Sequence, residues 1–361
     1  MSLHGIRTVA GLELKQRART SRWPIVLLLW FLFVAGVTFL SYKALNTAAI
    51  KAGPTLYDVT TFLVLGLSML VVPSLTATSV NGDREAGVLA TLQTTLLTPA
   101  DIIVGKLVSS WAIALVFLGV SSPFLIWAWI AGGIGFGQVV GSLLVLAFVL
   151  AVTCAIGLAF STLTARTVAS AVLTYLGMAG LVFGTVIVFF MSFFLVQNRE
   201  QVRYYGIPDS FWQSQPTNAD GSPSPDAVVP TVGDCRHLTR EENVIHTERI
   251  WWLLPMNPFV VVADAAPGRV LTNRDVYTGF QPMREISIGA RAARAGADPR
   301  ERQECNFGNP GDPAELPPLQ SGPIYPYGLA FYLALGAGAT WLAIRRTRTP
   351  VTRLPNGTRI A

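Results

Sequence analysis

The sequence predicts an all-α integral membrane protein with six transmembrane helices, an N-terminal amphipathic interfacial helix and an external Pro-rich domain between helices 5 and 6. Three observations predict it. Of the 361 residues, 51% are hydrophobic and only 13% charged, against about 25% charged in ordinary soluble domains. Six stretches contain no Asp, Glu, Lys or Arg at all: 24–42, 59–80, 107–131, 138–165, 167–196 and 324–344. The basic residues also fall asymmetrically between these stretches, as topology in a bilayer requires.

Residues 1–23 open the chain with Leu3, Ile6, Ala10 and Leu14 at helical spacing and Arg7, Lys15, Gln16 and Arg19 mostly on the other side, the pattern of a helix lying on a membrane surface. The first span follows Pro24. It is not read as a secretory signal, because its basic leader is long and no small-residue cleavage site follows it.

Segment 24–196 holds the first five spans. About 20 apolar residues cover the hydrocarbon core, and runs such as Val26–Leu40 and Val139–Leu150 lack the alternation of a membrane β-strand, so helices are predicted. Span 5 is longer than a bilayer needs, which predicts tilting, a break near Gly177–Gly184 or outward projection. Gly180 with Gly184, and Gly137 with Gly141, are candidate small-residue helix contacts.

Five basic residues precede span 1 (Arg7, Lys15, Arg17, Arg19, Arg22). Arg84 and Lys106 separate spans 2 and 3, Arg166 separates spans 4 and 5, and five arginines follow span 6. In the short loops of the other side there are only Lys43 and Lys51. Both termini, including the basic tail 345–361, are therefore expected in the cytoplasm and segment 197–323 outside. That segment has 12 basic and 16 acidic residues, so the net positive charge of the chain sits on the cytoplasmic flanks. Anionic lipid accounts for it, with no nucleic-acid partner.

The external segment is rich in proline, from Pro223 to Pro318, and is expected to be irregular. Cys235 and Cys305 form a candidate disulfide in an oxidising compartment, with two free thiols as the alternative reading, and Cys154 falls inside span 4. Within the segment, Ile250–Ala263 is apolar but broken by Pro255 and Pro258 and too short to span. Trp251 and Trp252 place it at the outer interface or on the bundle. The last span is 324–344.

Between spans 2 and 3, Val88, Leu89, Leu92 and Leu96 recur at helical spacing, predicting an amphipathic helix over 83–97 with Asp83 and Glu85 at its start, where the helix dipole favours them. Thr98, Pro99 and Asp101 then read as N-cap, N1 and N3 of the helix that re-enters the membrane.

Several chemistries are missing. No phosphate-binding loop occurs; Val104-Gly105-Lys106-Leu107 lacks the leading glycine and the hydroxyl. The six uncharged stretches offer no ionisable relay of the kind ion-coupled transporters use. The three histidines, His4, His237 and His246, form no hydrolase or zinc pattern, and His237 with Cys235 falls short of a four-ligand metal site. No metal is expected. Asn356-Gly357-Thr358 fits a glycosylation acceptor but lies in the cytoplasmic tail.

The run Asp83-Arg84-Glu85-x-Gly87-Val-Leu, then Leu97-Thr98-Pro99, then Ile103-Val-Gly105-Lys106 resembles the cytoplasmic loop of ABC exporter permeases, the membrane subunits that export drugs, lipids and polysaccharides. Glu-Leu-Lys-Gln-Arg at 13–17 is similar to the N-terminal helix of that family, and Trp252 to Pro267 resembles a stretch of its actinobacterial members. The resemblance covers nearly the whole chain and speaks to the family, not the substrate.

It implies a six-helix exporter domain that pairs with a second copy or a homologous permease, each docked on a separate ATPase that binds ATP and Mg. It also implies that Arg84, Glu85, Gly87, Leu89, Leu92 and Leu96 couple to the ATPase, with Thr98, Pro99, Gly105 and Lys106 forming the re-entry. A path between protomers would be lined by Phe62, Leu65, Met69, Thr174, Tyr175 and Met178. The alternative is a membrane subunit that transmits a mechanical signal or binds a ligand through its external domain without transport.

Overall fold

In the computed structural model, described over residues 2–20, 22–47, 52–85, 87, 97–132, 134–216, 228–266, 280–305 and 321–348, each uncharged stretch becomes one helix long and apolar enough to cross a membrane. The protein is a multi-pass, mostly helical membrane protein. The membrane helices are α2 (Arg22–Thr47), α3 (Ala52–Thr76) continued by α4 (Ser79–Glu85), α5 (Pro99–Ile130), α6 (Phe136–Leu163), α7 (Thr167–Ala179) with α8 (Thr185–Met191), and, after the long insertion, the last helix Tyr325–Thr347. The face that carries α1 (Leu3–Ala18) and the end of the last helix is the near face; the opposite one is the far face.

Helix α6 is the centre of the bundle, packed against α3, α5, α7 and the last helix, and its Leu146, Val149, Leu150 and Cys154 are wholly buried. Glycine lets α3 approach it: a Cβ on Gly157 would overlap the Thr76 hydroxyl. Gly157→Ala is expected to cost about 1–3 kcal/mol by overpacking, read as a lower thermal midpoint of the purified protein and partly restored by adding Thr76→Ala. The predicted glycine pairs do not make such contacts. A Cβ at Gly137, Gly180 or Gly184 would meet nothing, and at Gly141 only ordinary contact.

Backbone groups freed inside the bundle find partners, as a hydrocarbon environment demands. Pro123 cannot donate to Gly119, and Ser122 Oγ donates to that carbonyl instead at 2.7 Å. The long fifth span relaxes where its glycines predict, through a π-helical turn at Gly180–Gly184. Asn257 Nδ2 donates to Val182 O in that turn at 2.7 Å and to Thr185 Oγ1 at 3.0 Å. Helices α2 and α7 with α8 are the least buried, and residues such as Leu29, Leu40, Leu176 and Phe190 present their apolar surface outward.

The insertion is not irregular throughout. It begins with β1 (Gln197–Gly206), a short helix α9 (Asp209–Gln213) and β2 (Arg236–Ile245). Strands β1 and β2 pair antiparallel over their whole length, Gln197 opposite Ile245 and Gly206 opposite Arg236. Two 3-10 turns, Thr247–Arg249 and Trp251–Met256, lead to α10 (Pro258–Ala265) and α11 (Pro282–Ala295). Strand β3 (Arg302–Gln303) pairs in parallel with Tyr204 and Tyr205 on the other edge of β1. A disulfide joins Cys235, just before β2, to Cys305, just after β3. The last helix, Tyr325–Thr347, is α12.

Residues Ile250–Ala263 do lie on the bundle. Val261 and Val262 of α10 are buried in the main core, and Tyr332 Oη of α12 donates to Met256 O at 2.9 Å. Helix α11 is a strut over the far face. Its first N–H groups, from Met283 and Arg284, donate to the Asp58 carboxylate of α3 at 2.8 Å each. Its middle meets Asp264 of α10, which also receives the backbone N–H of Ile324 and Tyr325 where α12 starts.

Candidate functional site

The near-face junction between α1, α4 and α5 gathers most of the described motif residues. It begins with two helix starts sharing one carboxylate. Thr98 is the N-cap of α5 in a full capping box with Asp101, and Pro99 occupies the first turn. The Asp101 carboxylate accepts from Thr98 N at 3.1 Å, and also from Ser2 N at 2.8 Å, while Ser2 Oγ caps α1 at Gly5 N. Two glycines allow the close crossing: a Cβ on Gly105 would lie 2.7 Å from Val9 Cβ, and one on Gly5 would lie 2.9 Å from Leu97.

The face of α1 that docks is therefore Gly5, Val9 and Ala10. Of the stripe predicted to lie on the membrane surface, Ala10 is buried against the bundle, Ile6 is half-buried, and Leu3 and Leu14 stay exposed. The helix was legible, but its packed face is chosen by glycine clearance and by a charge at Glu13.

Lys106, one turn beyond Asp101 on α5, is 1% exposed. Its ammonium contacts the Glu13 carboxylate of α1, Asp83 Oδ2 of α4 at 2.6 Å and Ser79 O at 3.2 Å. Such a charge is tolerable inside the protein only because it is paired and hydrogen-bonded. Arg17 extends the cluster. It sits 3.8 Å from Glu13 and donates to Leu75 O at 2.8 Å, a carbonyl beside the break between α3 and α4. On the other side of α4, Val80 N and Asn81 N donate to Ser161 Oγ, and Asn81 Nδ2 to Thr164 Oγ1.

Asp83 and Glu85, expected at the start of a helix, stand instead near the end of α4. The pairing of Asp83 with Lys106 outweighs the less favourable dipole at a C-terminus, which is worth only a fraction to about 1 kcal/mol. Arg84 is half-buried and Glu85 exposed. Gly87 donates its N–H to Arg84 O at φ +70, the left-handed conformation that glycine adopts past a helix end. Leu89, Leu92 and Leu96 lie outside the described residues.

The candidate path residues do not share one surface. Leu65, Met69, Thr174 and Met178 are buried within this chain, the first two and Met178 in its main core. Phe62 and Tyr175 keep about a third of their surface open. Phe62 stacks on Phe259 at 5.1 Å, and Tyr175 Oη donates to Leu70 O. Tyr175 also lines an open apolar groove of about 620 Å³ between Thr78 and the outward face of α7. Among the described residues no cluster of three metal-ligating side chains occurs.

No protein-family model matches the chain, and a comparison with curated proteins finds no match.

Proposed function

We propose that this chain is the permease subunit of an ATP-driven exporter of the ABC type, moving a hydrophobic or amphiphilic substrate such as a lipid or drug across the cell membrane. The observation that carries the reading is the near-face junction. Residues 86–97 leave from and return to helix ends pinned by Asp83, Lys106 and Asp101. A load applied there reaches α1, α4 and α5 directly, as the family's coupling loop requires. On this reading the near face and both termini are cytoplasmic, in keeping with the positive charge of that side, and the Cys235–Cys305 bond faces an oxidising exterior.

A separate ATPase subunit then binds ATP and Mg, since this chain carries no phosphate loop, and seats residues 86–97. A second permease, identical or homologous, completes the path. Co-purification with a candidate ABC ATPase subunit tests the proposal. Glu85→Ala and Leu92→Asp are expected to lower nucleotide turnover roughly tenfold or to abolish assembly, a loss of about 1.4 kcal/mol or more. Unchanged turnover and assembly in both variants would refute the coupling role.

The β1–β2 ribbon supports a second reading, because much of it is solvent-exposed and offers a surface for a ligand. Complexes that hydrolyse ATP yet move no lipid or drug in proteoliposomes would favour that mechanical or ligand-binding role over transport.

A further inference from the structure

His246 sits where the ribbon meets the helical layer beneath it. Its N–H adds a bond to Val196 O at 3.0 Å beyond the last residue of β2, and its carbonyl accepts from Arg249 N in the following 3-10 turn. Its ring, 12% exposed, is held between two carboxylates. Nδ1 lies 2.7 Å from Glu248 Oε1 and Nε2 lies 2.9 Å from Glu200 Oε1. Glu200 belongs to β1, in the ribbon. Glu248 belongs to the turn and is wedged against the C-cap of α11, where a Cβ on Gly296 would collide with its carboxylate.

An ionised carboxylate only accepts, and a neutral imidazole has one N–H and one lone pair. Both contacts are therefore satisfied together only by the imidazolium. We propose that His246 is a pH-sensitive latch, fastening the ribbon to the helical layer when doubly protonated and releasing Glu200 or Glu248 when it loses one proton. The charged groups facing the ring are Glu200 from β1 and Glu248 from the turn, and the adjoining end of α11 contributes the uncharged Gly296. The hydrogen bond that the ring donates to Glu248 holds the imidazole above its ordinary value against partial burial, and the one to Glu200 adds to it.

The sign follows from that direction. The latch is fully present below the unfolded histidine value near 6.5 and is lost as pH rises through the higher folded value. The proposal does not depend on the transport reading, and neither does its test.

Hydrogen exchange of the full-length protein in lipid nanodiscs, corrected for intrinsic rates, is to be followed from pH about 5.5 to about 8.5. Peptides spanning 197–206 and 236–246 are expected to lose protection roughly fivefold over that range, while α5 and α6 do not change. His246→Gln should remove the pH step. Glu200→Gln, which keeps the histidine but removes one carboxylate, should shrink the step and move it to lower pH. A flat wild-type profile, a step that persists in His246→Gln, or a loss of protection shared by the whole chain would overturn the latch.

Discussion

Asp264→Ala is expected to cost about 3–5 kcal/mol, the range for breaking a buried ion pair, and to loosen the far-face layer as a unit. The side chain is 0% exposed and gathers four donors from two places. Ser287 Oγ, at 3.0 Å, and Arg291 Nε, both of α11, meet one oxygen. The backbone N–H groups of Ile324 and of Tyr325, the latter at 2.8 Å, meet the other. Truncation leaves the half-buried Arg291 guanidinium without its anion and the first N–H groups of α12 without an acceptor, and each loss carries a desolvation cost. Asp264→Asn keeps the shape and one acceptor but loses the charge, and is expected to cost about 2 kcal/mol.

Thermal denaturation of the purified protein orders the three forms, wild type above Asn above Ala. Adding Arg291→Met to Asp264→Ala separates charge from packing. If the orphaned cation dominates, the double variant is more stable than the single one; if the two are equal, the loss lies in the helix-start bonds. Equal midpoints for wild type and Asp264→Ala would show that Asp264 does not hold the layer.

The spans were legible because charge is so costly in hydrocarbon that its absence over about 20 residues has few other causes. Their ends were less so. The second and third helices run past the first charged residue to include Asp58, Asp83, Asp101 and Lys106, because each of these has a partner that linear sequence does not reveal. The ribbon leaves little trace in the sequence for a related reason. Gln197–Gly206 and Arg236–Ile245 are exposed along much of their length, so neither strand carries a clear apolar alternation, and that alternation is what marks a half-buried strand. Of the ribbon's supports, only the cysteine pair could be read in advance. The capping box at Thr98 was fully readable, because its signal lies within four consecutive residues.

At the near face the larger expected effect belongs to Lys106. Lys106→Met retains the length and apolar stem of the side chain but leaves the Glu13 and Asp83 carboxylates facing each other without the ammonium between them. A loss of about 3–5 kcal/mol is expected, most of it the cost of leaving Asp83 without a cation and Glu13 with only the more distant Arg17. Because Glu13 is on α1 and Asp83 on α4, the damage should be local: α1 detaches from α5 while the bundle around α6 persists. Trypsin cleavage at Lys15, Arg17 and Arg19 should accelerate, whereas hydrogen exchange in α6 stays slow.

Lys106→Arg is not a safe control, since a planar guanidinium does not fit a site that holds an ammonium against two carboxylates and Ser79 O. The informative control is Lys106→Met with Glu13→Gln and Asp83→Asn, which removes the whole charge cluster and should recover much of the lost stability. If, on the proposed permease reading, it does so without restoring nucleotide turnover in the complex with the ATPase, stability and transmission are separable. Lys106 would then hold α1 and α4 together under load, beyond merely keeping the fold intact. If stability and turnover recover together, the ion cluster is structural only, and the proposed coupling contact falls to residues 86–97.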